Sequence, residues 1–239
     1  MILTSSEKEI ARAYQGEDII YPTPIRDGLV LWYDFKGRTN QDINRGVAVD
    51  LSGNGNDGEL QNFAYTEGSG YGDGLDFDGV DDDIYTSIQG VEDFYFEILF
   101  KPLAPPSRVF DGVFLFGSDK DTCMVLDMRS YPAKVRVNCY EKDLSLYYTE
   151  PEIDYDGDNY MGFSLSEKTF KIHMGNSVIY ERELKVGSLM ESADSLYIGS
   201  RRAPYYANID VKVVRLYNRA LTPAEIRHNY EIEKTRWGL

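Results

Sequence analysis

The dominant hydrophobic period along this chain is two, and that constrains its fold before any motif does. Gly28-Leu-Val-Leu-Trp-Tyr-Asp-Phe35, Phe94-Tyr-Phe-Glu-Ile-Leu-Phe100, Val113-Phe-Leu-Phe116, Val135-Arg-Val-Asn-Cys139 and Tyr160-Met-Gly-Phe-Ser-Leu165 are strand-length runs bounded by turn chemistry. Phe170-Lys-Ile-His-Met174, Val178-Ile-Tyr180, Ser195-Leu-Tyr-Ile-Gly199 and Ile209-Asp-Val-Lys-Val-Val-Arg-Leu-Tyr217 continue the series. Many short strands with little helical patterning leave two architectures, an antiparallel β-sandwich or a barrel. At 239 residues and 42% hydrophobic content, one large all-β core is affordable in surface terms. Tyrosine supplies most of the 13% aromatic content, and tyrosines suit half-buried sheet positions, so most need no functional explanation.

One helix is written into the C-terminal end. Thr222-Pro-Ala-Glu225 combines an N-cap, a proline at the first helical position and a capping-box glutamate, with Leu221 and Ile226 placed as a hydrophobic staple. The helix is expected to run to about Lys234, with Trp237 packing on the domain. The first 24 residues read as a separate arm, and residues 25–239 as one domain. In the arm, residues 9–14, 15–18 and 19–22 read as strand, turn and strand, followed by Pro22-Thr-Pro24 as a stiff linker. A helical alternative stands beside it, because Ser6 and Glu9 have capping-box spacing; Gly16 weighs against it.

A net charge of -15 opposes nucleic-acid binding, which needs basic patches to neutralise phosphates, and disfavours adsorption on anionic lipid. No apolar run is long enough to span a membrane. The sequence from Met1 lacks a basic stretch followed by an apolar one, so a cleaved secretory signal is not expected. Cys123 and Cys139 are too few for a disulfide framework; they are read as two reduced thiols, with a cross-strand pair as the alternative.

Two acidic, glycine-rich segments stand out: Asp50-Leu-Ser-Gly-Asn-Gly-Asn-Asp57-Gly58, and Gly74-Leu-Asp-Phe-Asp78-Gly-Val-Asp-Asp-Asp83. Short oxygen-bearing side chains between glycines can bend a loop around a hard cation. The same dipeptides also make ordinary solvated turns.

Together with Leu196-x-Ile-Gly199 and Val214-Arg-Leu-Tyr-Asn-Arg-Ala-Leu-Thr-x-x-Glu-Ile226, these segments and the Gly28 strand resemble concanavalin A-like, laminin-G-type jelly rolls. The version most similar is the one carried by bacteriophage structural proteins, bacterial surface proteins and glycosidase accessory modules. The resemblance covers about Asp27 to the end and implies an all-β antiparallel sandwich with one short C-terminal helix and an N-terminal β-hairpin arm. The arm, Lys8 to Pro22, is similar to a segment near the start of tail and baseplate proteins of phages that infect Gram-positive bacteria.

The resemblance implies a structural calcium ion held by Asp50, Asn54, Asn56 and Asp57 together with Asp78, Asp81 or Asp82. It implies carbohydrate as the ligand class, with Arg201, Arg202, Tyr205, Tyr206 and Asn208 offering arginines, tyrosines and an amide in one loop. Asn208 stands where relatives usually place a glycine. The function implied is a virion structural protein, a tail, baseplate or decoration component, assembled in the host cytoplasm. Its partners would be other virion proteins, met through the arm, and a host-surface glycan, with the protein oligomeric in the particle. A freestanding carbohydrate-binding module or surface lectin is the alternative.

The chain is expected not to be an enzyme. Glu150-Pro-Glu-Ile-Asp154-Tyr-Asp156 is similar to the paired-carboxylate strand of retaining glycosidases, but Gly157 stands where the acid is needed. His173 and His228 have no metal-ligand spacing, and no nucleophile elbow or phosphate loop is present, so no catalytic residue is assigned.

Overall fold

The computed structural model describes residues 14–15, 18–19, 23–88, 91–106, 110–117, 123–129, 134–140, 146–184, 194–201 and 203–239. The strands are β1 (Tyr14–Gln15), β2 (Asp18–Ile19), β3 (Leu29–Asp34), β4 (Val47–Ala48), β5 (Gly58–Gln61) and β6 (Gly70–Tyr71). Next come β7 (Leu75–Asp78), β8 (Asp83–Ile88), β9 (Phe94–Pro102), β10 (Phe110–Gly117), β11 (Cys123–Arg129) and β12 (Val135–Tyr140). The series ends with β13 (Leu146–Thr149), β14 (Asn159–Ser166), β15 (Thr169–Met174), β16 (Ser177–Glu183), β17 (Asp194–Ile198) and β18 (Asn208–Tyr217), before helix α1 (Pro223–Trp237).

Two antiparallel sheets form a sandwich. The front sheet runs β13-β12-β11-β10-β17-β8-β5-β4, and the back sheet β16-β15-β14-β9-β18-β7-β6. Strand β18 is long enough to hold β9 along one edge and both β7 and β3 in succession along the other. The inner faces meet in a core in which Phe96 of the back sheet packs on Phe114 at 4.7 Å between ring centroids. Phe163 packs edge-on against the same Phe114 at 5.3 Å. Alternation of this kind, Phe94, Phe96, Ile98 and Phe100 pointing inward from one strand, is what the period of two dictates once one face is dry.

The helix begins as its caps require. Thr222 accepts from the Glu225 N–H and Glu225 answers at the Thr222 N–H, while Leu221 and Ile226 are both buried. It continues to Trp237, three residues past the expected end, and stops at Gly238, whose left-handed φ of 76° suits a glycine C-cap. The reason for the extra turn lies underneath. Arg215 on the outer face of β18 is fully buried between Glu97 of β9, at 2.7 Å, and Glu233 of the helix. Tyr160 donates to Glu97 at 2.6 Å, Asn229 bridges Glu97 and Tyr217, and Trp237 donates to Glu233 at 3.0 Å. Removing one partner of such a layer would leave a buried charge uncompensated, at a cost of about 3–5 kcal/mol.

In the arm, Tyr14 pairs with Ile19 and Gln15 with Asp18, which is the hairpin register rather than a helix. The capping-box reading at Ser6 and Glu9 lies outside the described residues. Register pairs Cys123 with Tyr140 and Cys139 with Met124, so the two cysteines are not cross-strand partners. Among the described residues, no helix is long and apolar enough to cross a membrane.

Candidate binding rim

The seven oxygen-bearing candidates do not converge on one point. Strands β5 and β8 are antiparallel neighbours, with Glu59 opposite Tyr85 and Gln61 opposite Asp83. The loop before β5 and the loop before β8 therefore sit at opposite ends of that pair. This corrects the reading of the two glycine-rich segments as one ligand shell: each is a separate piece of the molecule.

The first loop is closed on itself. Asp50 Oδ1 accepts from the N–H groups of Trp32 (3.0 Å) and Ser52 (2.9 Å), and its Oδ2 accepts from the Ser52 hydroxyl (2.7 Å) and the Asn56 N–H (3.0 Å). Asp57 accepts from the Asp50 N–H at 2.7 Å. Asn54 donates to the Leu29 and Val30 carbonyls, and Asn56 to that of Val30. These side chains tie the loop to β3.

The second loop is different. Asp78 folds the turn by accepting from the Val80 N–H at 2.7 Å, with Gly79 at φ 76°. Carboxylate oxygens of Asp78, Asp81 and Asp82 lie within 4.8 Å of one another. Asp82 is wholly buried; its Oδ2 accepts from the Asp78 N–H at 3.0 Å, and its Oδ1 has no partner among the described residues. Burial pushes the Asp82 carboxyl up to about 6, resisted by the Asp78 N–H and the nearby Ser69 side chain and reinforced by the neighbouring Asp78 and Asp81 charges. An all-oxygen donor set with an unmatched buried carboxylate oxygen fits a hard cation such as calcium.

The loop after β17 completes the rim. Asn208 opens β18 opposite Asp78 and donates its side-chain amide to the Asp78 carbonyl at 3.1 Å. Ser200 donates to Asp83 at 2.9 Å, and Ser200 and Tyr206 form an isolated bridge. Gly199 has φ 83°, and a Cβ there would drive into the Phe77 ring, so the close approach of the two loops needs a glycine. The Tyr206 hydroxyl is raised by burial and by the charges of Asp83 and Asp81. Arg201 lies 4.6 Å over the Tyr205 ring and pairs with buried Asp127 at 3.1 Å. Arg202 lies outside the described residues. Val80, 68% exposed, and Leu103, 43% exposed, flank Asn208 with apolar surface.

Ser69, Asp83, Ser200 and Leu103 were absent from the expected site. Ser200 follows the Gly199 that the fold requires, and Asp83 closes the acidic run, so both carried a sequence signal. Ser69 and Leu103 carried none, because strand pairing alone brings them to the rim. The Glu150–Asp156 segment runs mostly outside strands, and Glu150 pairs with Arg129.

No protein-family model matches the sequence, and no curated protein matches it significantly. Solved structures do share its fold. The chain is similar to Trypanosoma rangeli sialidase at 16% identity and a TM-score of 0.63, over 85% of this chain and 32% of that one. In the complex of that enzyme with the inhibitor DANA the values are 15%, 0.64, 92% and 35%. It is also similar to the receptor binding domain of botulinum neurotoxin D, at 10% identity and a TM-score of 0.68, over 88% of this chain and 54% of that one. The chain thus spans about a third of the sialidase and about half of the neurotoxin chain. Identities this low speak to fold alone: an antiparallel, jelly-roll-like sandwich. They also correct the expectation that the chain is not an enzyme, because chains of an enzyme are among the structures that share this fold, and the sandwich gives no ground for excluding activity.

Proposed function

We propose that this domain is a lectin-like module that binds a cell-surface glycan at the rim between residues 78–83 and 199–208, with a calcium ion held by Asp78, Asp81 and Asp82. The observation that carries the reading is the buried, unmatched Oδ1 of Asp82 beside two further carboxylates, next to a loop of tyrosines and an amide. Calcium would neutralise charges that repel one another and stiffen the rim. Tyr206, Asn208 and the apolar flanks Val80 and Leu103 suit a sugar, which offers hydroxyls at its edge and C–H groups on its face. Asp50, Asn54, Asn56 and Asp57 stiffen the far loop rather than bind metal.

The setting proposed is a bacteriophage particle, in which the arm of residues 1–24 docks on neighbouring virion proteins and residues 25–239 face the host. The resemblance of the arm segment and the strand pair at Tyr14–Gln15 and Asp18–Ile19 support that reading. Glycan-array binding in calcium and in chelator tests the rim directly. Calcium should raise the melting temperature of metal-stripped protein and be required for the array signal, and Asp82→Asn should remove both effects. Array binding that survives chelation unchanged in Asp82→Asn would sink the proposal.

A further inference from the structure

A cleft lies on the outer face of the back sheet, where β14, β15 and β16 meet the N-terminal end of α1. Its volume is about 340 Å³, at the lower end of the range of roughly 300–1,000 Å³ for small-molecule sites. Along the strands this is the end away from the rim: Tyr95, at the start of β9, pairs with Ser164 and Tyr217, whereas Leu103, beyond the end of β9, meets Asn208. Ser164 and His173 belong to its floor, Leu221 and Ile226 form an apolar wall, and Lys171 and Glu181 form an ion pair of 3.3 Å at its mouth.

The floor holds a side chain with an unmatched polar atom. His173 is 4% exposed; its Nε2 lies 3.4 Å from the Ser164 hydroxyl, and its Nδ1 has no partner among the described residues. Behind it stands Tyr95, whose ring meets the imidazole edge-on at 5.6 Å and whose hydroxyl is also buried without a partner. Gly162, the cross-strand partner of His173, makes room for that hydroxyl, since a Cβ there would collide with it. Buried polar groups are ordinarily paired, so an imidazole left with an unpaired nitrogen beside a cleft points to that cleft as a place for a ligand.

The chemistry of that ligand follows from what faces it. Burial and the nearby Lys171 charge hold His173 down at about 4, so near neutral pH the imidazole offers one donor and one acceptor, as a hydroxyl does. Lys171 is balanced by Glu181, with Glu167 close by, which disfavours an anion. The triad of carboxylates that suits a cation is elsewhere, at the rim. A hydroxyl-rich floor, a balanced ion pair and an aliphatic wall match a neutral polyhydroxylated ring.

We propose that this cleft is a second, calcium-independent sugar site, in which Ser164, His173 and the Lys171–Glu181 pair take the hydroxyls of one neutral sugar ring and Leu221 and Ile226 take its apolar face. The proposal does not depend on the rim. The 239-residue chain in chelator is titrated with glucose, galactose, mannose, N-acetylglucosamine and rhamnose, and the His173 imidazole is followed by ¹H–¹⁵N correlation spectroscopy. At least one sugar should shift that imidazole saturably. Lys171→Ala, at the exposed mouth where folding is undisturbed, should weaken binding about tenfold, the effect of losing a hydrogen bond to a charged group. Asp82→Asn should leave it unchanged. Absence of a saturable shift with every sugar, or a Lys171→Ala variant that binds as the wild type does, would overturn the assignment.

Discussion

The loops at 50–57 and 78–83 are built from the same residue types, yet only one of them is left with unmet chemistry. In the first, both Asp50 oxygens are saturated by backbone N–H groups and a hydroxyl. In the second, Asp82 is more deeply buried and has one oxygen without a donor. The difference teaches that a run of acids and glycines becomes a candidate metal site only where the local backbone cannot satisfy the carboxylates itself.

The sharpest way to break that comparison is Asp50→Ala. Trp32, Ser52 and Asn56 would lose their acceptor together, and stability should fall by about 3–5 kcal/mol, equally in calcium and in chelator, as read by urea unfolding. A loss that calcium restores would mean the first loop also holds metal.

A smaller effect should appear with pH in metal-free protein. Burial raises both Asp76 and Asp82 from 3.8 to about 6, so the native state holds these protons more tightly than the unfolded chain does. The resulting stability is complete below 3.8 and is lost as pH rises through about 6. Two units each would be worth about 3 kcal/mol, and solvent screening close to the surface reduces this to roughly 1–2 kcal/mol per group. The urea midpoint in chelator should therefore be higher at about pH 5 than at about pH 7, and calcium should remove the Asp82 share of the difference. A midpoint in chelator that climbs with pH over this interval would contradict the raised carboxyls of Asp76 and Asp82. Glu225, lowered to about 2 by Arg219, works in the opposite sense only at more acid pH.

The smallest change is expected for Asp57→Asn. The amide oxygen can still accept from the Asp50 N–H, so the loss should stay below about 1 kcal/mol, with the calcium response intact. A lost calcium response would tie this loop to the metal after all.

Much of the sandwich was legible because strand burial has a period of two, and runs such as 94–100 and 209–217 state it directly. The start of α1 was legible for a similar reason, since Thr222, Pro223 and Glu225 interact within one turn. Its length was not, because Glu233 and Trp237 are held by Arg215 and by one another rather than by an apolar stripe. Arg215, on the outer face of β18, alternates with the inward-facing Val214 and Leu216. It is in fact among the most deeply buried side chains, because the helix covers that face. In the same way His173 read as one more alternate residue of β15, and only the packing of α1 beside it makes a cleft.

The sequence by itself determined the architecture class, the strand positions, the helix start and the turn residues, all of which depend on neighbours a few positions away. Tertiary structure decided which acids meet. The antiparallel register of β5 and β8 sends the two similar loops to opposite ends, while β18 and β17 bring residues 199–208 against 78–83 across more than a hundred residues of chain. Local patterns specify local hydrogen bonds and burial; a site assembled from distant segments exists only once the sheets have closed.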